Sequence, residues 1–425
     1  MHKYSTGGAG DARPRRLLLC LDGVPYEIIK AAKSRGLFAR FNEPAGLLSP
    51  FPTMTNIALS TMLGASAPLG YESLYFDRDR QELCGGVRKY IGRRTPDKVP
   101  SSYMDELDYQ EPLPFEFLVY VAPDAVWRAD MRRFRERFRR APHNRDFFAF
   151  LKGTDGLLHI RGPQKLHVAL RSLDKILTEI QDVCGAETEI VLFSDHGMNL
   201  QENYKIHLQT HLRASGYEVK DRFERGRGAR SVAAPAFGLC GYAALYCADE
   251  TDPATVADAL TMLEGVDFSL HREGAAAVVV HSARGTARIS REMNGHARYS
   301  YERLTGDPLQ LLQAQHALHE KGELDARGFA SDAAWYAQTA GHMYPDALAN
   351  LYASLHAPRV RHTADVLVSC HDGYYYGASL FSRLTRLAAT HGNALRASST
   401  AFLMSTHRQF PAHVRAGDAR PFLRE

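Results

Sequence analysis

No run of about 18 or more consecutive apolar residues occurs in this chain, which excludes an ordinary transmembrane helix. Cysteine is sparse and dispersed: Cys20, Cys84, Cys184, Cys240, Cys247 and Cys370 form no Cys-x-x-Cys pair. With no secretory context beside them, these thiols are expected to stay reduced. A strong excess of either charge is also missing. The formal net charge of +4 on 425 residues is too small to favour non-specific nucleic-acid binding. Met1 to Arg16 is polar and glycine-containing, with no apolar segment before the first strand-like run. An export signal is therefore not expected, and a cytoplasmic location is. Internal repeats and low-complexity tracts are absent too.

What is present is an ordinary globular composition, with hydrophobic residues at 45% and charged residues at 24%. The length suggests two lobes, or one core with insertions. Strand and helix patterns alternate from the start. The apolar runs Leu17 to Leu21, Phe147 to Leu151 and Ile190 to Phe193 predict buried parallel strands. Helices are expected over Tyr26 to Phe38 and Met54 to Leu63, the latter stopped at Gly64. Leu166, Leu170, Leu173, Leu177 and Ile180 keep a helical stripe that packs on the sheet. Ala364 to Ser369 predicts another buried strand, followed by a helix and then the apolar segment Ala401 to Met404. Such alternation argues for an α/β fold, a mostly parallel sheet sandwiched by helices. Residues 78–146 break the pattern and look like an insertion. From 206 to 330 the period changes, with strands at Gly241 to Cys247 and Ala275 to His281 and a helix at Pro253 to Leu263. The expected organisation is a core over 1–205, a small inserted α+β cap over 206–330, and a second part of the core over 331–425.

Candidate chemistry sits at the strand ends. Asp22, Asp155 and Asp195 close or directly follow the three parallel-strand runs. Ligands of doubly wound sheets bind beyond the carboxyl ends of the strands. Three carboxylates meeting there need a cation to offset their repulsion. Asp155 and His159 lie four apart, on one helical face. His196 follows Asp195, and His391 stands beside Gly392. Thr53 arrives on a loop containing Pro50 and Pro52.

These segments resemble the alkaline phosphatase superfamily, and within it the type I phosphodiesterase/nucleotide pyrophosphatase branch. The matching pieces are Leu21-Asp22-Gly23, Pro52-Thr53-Met54-Thr55-Asn56, Leu63-Gly64-Ala65-Ser66-Ala67-Pro68, Thr154-Asp155-Gly156-Leu157-Leu158-His159, Ser194-Asp195-His196-Gly197-Met198 and Thr390-His391-Gly392. Any one is weak, but six in order are specific. The resemblance implies an alkaline-phosphatase-like fold and two divalent-ion sites. One would use Asp155, His159 and His391; the other Asp22, Asp195 and His196, with Thr53 completing it. Mixed carboxylate and imidazole ligands suit zinc first and manganese second. Ions roughly 4 Å apart can clamp the attacking and leaving oxygens of an in-line displacement. Thr53 would be the nucleophile, giving a phospho-threonine intermediate, with backbone N–H groups of the following helix holding a phosphoryl oxygen.

The expected activity is a phosphodiesterase or nucleotide-pyrophosphatase-like hydrolysis of a small phosphate ester. A phosphomonoesterase or phosphonate hydrolase would share every core residue. A phosphomutase is more distant, since mutases of the superfamily use serine. One departure is visible: Leu69-Gly70-Tyr71-Glu72-Ser73-Leu74 lacks the asparagine with which branch members bind the phosphoryl group, and Ser73 or Tyr71 is a candidate substitute. His371 follows the Ala364 to Ser369 run and competes with His391, which is preferred for its adjacent glycine and the apolar segment after it. His207 and His211, four apart, have no nearby carboxylate and are expected at the surface. Tyr374, Tyr375 and Tyr376 read as a half-buried strand end. Trp127, Met131, Phe134 and Phe138 form a stripe among arginines. Packing of that stripe on the protein is favoured over contact with an anionic membrane.

Overall fold

The computed structural model describes residues 15–86, 99–110, 118, 121–224, 230–357, 359–378 and 387–424. Most of the polar Met1 to Arg16 segment lies outside them, as do several stretches of 78–146.

A six-stranded sheet organises one half, in the order His413–Arg415, Ala45–Leu48, Thr400–Ser405, Ile190–Ser194, Leu17–Leu21, Phe147–Leu151. All residues of the last three strands are buried, because helices cover both faces and each side chain needs apolar company. Leu17–Leu21 pairs in parallel with both neighbours, Leu21 standing opposite Leu151 on one side and Ser194 on the other. Through that register three strand ends finish level, so the residues after them share one rim. Thr400–Ser405 runs antiparallel to Ile190–Ser194 and to Ala45–Leu48, and His413–Arg415 pairs in parallel at the edge.

The helices agree with the pattern at their cores and shrink at their ends. They cover Tyr26–Ser34 and Thr55–Leu63, the second ending on Gly64 in the left-handed region. Gly153–Cys184 begins directly after the Phe147–Leu151 strand and is broken at Gly162 (φ 68°), where Pro163 supplies no N–H. Leu166, Leu170, Leu173 and Leu177 are buried as the stripe requires.

Pro123–Arg140 is the arginine-rich helix. Its stripe of Trp127, Met131, Phe134 and Phe138 is buried in one core with the leucines of Gly153–Cys184. The apolar face is therefore used inside the molecule. Phe134→Ala should cost about 3–5 kcal/mol by cavity formation, read as a lower denaturation midpoint. A loss under a quarter of that would mean the stripe is not packed.

A nine-stranded sheet forms the other half, in the order Phe329–Ser331, His296–Gly306, Gly285–Asn294, Ala277–Ser282, Val266–Glu273, Val366–Cys370, Tyr242–Cys247, Ser231–Ala233, Glu218–Val219. The strand expected at Ala364 to Ser369 is Val366–Cys370, and it lies here, antiparallel to both Tyr242–Cys247 and Val266–Glu273. Its five residues are all buried. A central antiparallel strand covered on both faces reads like a parallel one. The helix expected directly after it is instead the strand Tyr374–Gly377, up to the limit of the described residues.

Candidate metal centre

The level strand ends place Asp22 and Asp195 side by side. Gly23 turns the chain at φ 70°, a conformation natural to glycine, and its N–H donates to Asp195 Oδ1 at 3.1 Å. A Cβ on Gly23 would come within 2.9 Å of the Met198 side chain and 3.2 Å of Asp155 Oδ1. The Ser194 hydroxyl accepts from Val24 N–H and donates to the His196 carbonyl, each at 2.8 Å. Asp155 stands in the first turn of Gly153–Cys184, one turn before His159. Thr154 ties that turn to the Asp22 carbonyl at 2.7 Å.

Two clusters result: Asp155, His159 and His391 form one, Asp22, Asp195 and His196 the other, with the donor atoms of each within 4.8 Å of one another. All six are at most 7% exposed. The clusters abut, since the rings of His196 and His391 stack at 4.0 Å and 17°.

Each imidazole is aimed the same way. Nδ1 of His159 faces the Ala389 carbonyl (2.8 Å), that of His196 the Gly197 carbonyl (2.9 Å), and that of His391 the Thr53 carbonyl (2.8 Å). A proton on each Nδ1 donates to these carbonyls and leaves Nε2 to face the carboxylates. His159 Nε2 lies 3.1 Å and His391 Nε2 3.7 Å from Asp155 Oδ1. His196 Nε2 is 3.5 Å from Asp22 Oδ1 and 3.4 Å from Asp195 Oδ2.

Asp195 Oδ2 is buried without a hydrogen-bond partner, and Nε2 of both His196 and His391 faces a carboxylate. Carboxylate oxygens facing imidazole lone pairs are costly in a bare protein interior, and they are the donor set a pair of divalent ions takes up. The residues fit two such ions.

Burial opposes ionisation of Asp155, but the His159 imidazole, with His391 and His196, outweighs it and holds the carboxyl below the usual range. Burial pushes Asp195 up to about 6, partly offset by the Gly23 N–H. It pushes His196 down to about 4, and His391 to about 3 with help from its neighbour His196. His159 goes the other way: burial lowers it, yet Asp155 raises it more. At pH 6.5, the ordinary imidazole value, His159 in ion-free protein is thus more than half protonated, while His196 and His391 are neutral. Ions bind neutral imidazole and ionised carboxylate, so their uptake at this pH should release protons, from His159 and in part from Asp195. A weakly buffered zinc titration reads this release, and its absence would contradict the stated protonation.

Thr53 does not complete the second cluster. Its side chain is fully buried and its hydroxyl is occupied by backbone, accepting from Gly392 N–H at 2.8 Å and donating to the Asn393 carbonyl at 3.2 Å. It fastens the His391 loop. The hydroxyl at the cluster belongs to Thr55, first residue of the Thr55–Leu63 helix, 3.3 Å from Asp22 Oδ1 and 3.2 Å from His196 Nε2. Thr55 is also partly exposed, so a substrate can reach it. Two threonines separated by one residue were visible in Pro52-Thr53-Met54-Thr55, but the sequence gives no sign of which hydroxyl the backbone takes.

The other candidates stand apart. His371 is 45% exposed and 3.5 Å from Asp267, outside both clusters. His211 Nε2 meets the Ala259 carbonyl at 2.8 Å, and His207 is exposed. Tyr71 hydroxyl accepts from Ala364 N–H at 3.2 Å. A third group, Asp77, Asp79 and His362, is more exposed. Two of its ligand atoms already accept hydrogen bonds, Asp77 Oδ1 from two backbone N–H groups and His362 Nδ1 from Arg78 N–H.

Sheet, covering helices and paired ligand clusters together define an α/β protein with two adjoining candidate metal sites at the ends of its parallel strands. The family model "Type I phosphodiesterase / nucleotide pyrophosphatase" matches residues 85–392, and the chain belongs to that family. Among solved structures, phosphonoacetate hydrolase from Sinorhizobium meliloti 1021 in complex with phosphonoacetate is similar in fold, with a TM-score of 0.51 at 14% identity, covering 97% of this chain and 95% of that one. Human ectonucleotide pyrophosphatase / phosphodiesterase 5 gives a TM-score of 0.47 at 12% identity, covering 96% and 93%. No curated protein matches the chain.

Proposed function

We propose that this enzyme is a two-metal phosphodiesterase with Thr55 as its nucleophile. The observation that carries the reading is the position of Thr55 Oγ between Asp22 Oδ1 and His196 Nε2. Asp155, His159 and His391 would hold one ion and Asp22, Asp195 and His196 the other, zinc ahead of manganese on their ligand types. When bound, such ions supply Lewis-acid stabilisation of charge on phosphoryl oxygens and favour ionised oxygen nucleophiles.

The residues then divide the work. Thr55 Oγ–H points its proton at Asp22 Oδ1, the acceptor 3.3 Å away, as the oxygen attacks phosphorus. The new bond joins Thr55 Oγ to phosphorus, and the bond to the leaving alcohol breaks with its electron pair on that oxygen. The leaving oxygen takes up the proton that Asp22 received. Water then attacks the phospho-threonine, the phosphorus–Oγ bond breaks with its electron pair on Oγ, and Thr55 Oγ takes a proton from that water. The helix beginning at Thr55 directs its positive end toward the phosphoryl group. Three backbone-tethered imidazoles keep the ligand geometry fixed between steps.

A panel with added zinc or manganese tests this: bis-p-nitrophenyl phosphate, p-nitrophenyl phosphate and phosphonoacetate, the last because it is the ligand of the structurally similar hydrolase. Faster release from the diester is expected. Preference for the monoester or for phosphonoacetate would move the assignment to a phosphomonoesterase or phosphonate hydrolase. No turnover of any would overturn it. A cytoplasmic location belongs to the same proposal, supported by six unpaired cysteines.

A further inference from the structure

Beside the paired clusters lies a small cavity that the hydrolytic step does not use. Tyr71, Glu72, Tyr75, Tyr242, Tyr246 and Tyr376 line it, with a few small or apolar residues. Its volume is about 10 Å³, room for one water-sized group. It adjoins the candidate centre through Gly241 and Tyr242. Gly241 N–H donates to the His391 carbonyl at 2.6 Å, and a Cβ on Gly392 would come within 2.9 Å of the Tyr242 ring.

Glu72 is the ionisable acid of this wall, and among the described residues no lysine, arginine or histidine lines the cavity. Its partners are all neutral. Oε1 accepts from Gly238 N–H at 2.8 Å and from the Cys240 thiol at 3.7 Å, and the Tyr242 hydroxyl bonds the carboxyl too. Burial with neutral partners pushes this carboxyl up to about 7, which is the signature of an uncompensated charge. Tyr246 and Tyr376 hydroxyls donate to the His362 and Ala234 carbonyls, each at 2.8 Å, so those rings are held in place. Aromatic rings around a carboxylate attract a cation. The carboxyl also sits in the 69–74 segment, where the family resemblance leads one to expect a phosphoryl-binding asparagine.

We propose that this cavity is a substrate subsite for a primary ammonium group, carried on the alcohol part of the phosphoric ester and paired with Glu72. The assignment rests on the hydrolytic reading of the neighbouring centre. A water-sized space admits –NH₃⁺ and excludes trimethylammonium, so 2-aminoethyl esters fit and choline esters do not.

Two measurements test it. In turnover, p-nitrophenyl 2-aminoethyl phosphate should show a KM about tenfold below that of the 2-hydroxyethyl ester. The choline ester should gain nothing over the hydroxyethyl one, and Glu72→Gln should bring the two KM values together. In binding, calorimetry of O-phosphoethanolamine against ethyl phosphate should show the same preference in wild type and its loss in Glu72→Gln. Equal binding of the amino and neutral compounds by wild type, or a preference that survives Glu72→Gln, overturns the subsite. An ammonium preference in calorimetry without turnover of any ester would keep the subsite and refute the hydrolytic reading instead. Wild-type data alone decide the matter if the variant does not fold.

Discussion

Thr55→Ala should lower phosphodiester turnover by on the order of 10⁴-fold or more, the scale seen when a nucleophile is removed. Thermal unfolding should be unchanged, because the Thr55 hydroxyl is partly exposed and holds no backbone group in place. Thr53 should behave in the opposite way. Thr53→Val leaves the buried Gly392 N–H without its acceptor, which costs about 1–3 kcal/mol and loosens the loop carrying His391. Its signature is a lower unfolding midpoint with a modest fall in kcat, restored by Thr53→Ser. Serine at position 55 should likewise keep part of the activity, since it retains an oxygen at the same place. Acid-quenched mass spectra of wild type with substrate should carry a phosphate on the peptide containing Thr55. A stable, inactive Thr53→Ala beside an active Thr55→Ala would return the nucleophile to Thr53.

That contrast also measures how far the sequence could be read. The parallel strands and their terminal aspartates were legible because a doubly covered strand must be apolar throughout, and polar residues at its end stand out. Asp155 and His159 were legible because helical spacing puts them on one face. The six candidate ligands do meet, in two clusters of three. Thr55 was not separable from Thr53, since the difference is tertiary: the 391–393 loop claims one hydroxyl and leaves the other. Val366–Cys370 was found as a strand, but the alternation counted it toward a mostly parallel sheet and it pairs antiparallel on both sides, because burial on both faces erases the difference between the two pairings. Glu72 carried no signal at all. Its surroundings come from residues 238–246 and 376, far along the chain.

The second large effect concerns Asp155, the carboxylate facing both His159 and His391. Asp155→Asn keeps the shape and removes the negative charge that an ion between these residues would need. The variant should retain about one ion where the wild type holds about two, and lose on the order of 10³-fold in turnover, matching several kcal/mol of charge stabilisation. Ion-free protein supplies an independent readout. The folded-state value of Asp155 is depressed, chiefly because His159 overcomes the opposing effect of burial. A depressed carboxyl contributes stability above its unfolded value, about 3.9, and loses it as pH falls through the folded one. Ion-free Asp155→Asn should therefore unfold more readily than ion-free wild type at pH 7, with the gap closing below about pH 4. Metal analysis after dialysis, alongside denaturation at the two pH values, separates the lost ligand from the lost ion pair. A variant that bound as many ions as the wild type and kept full turnover would remove Asp155 from the centre and overturn the two-ion proposal.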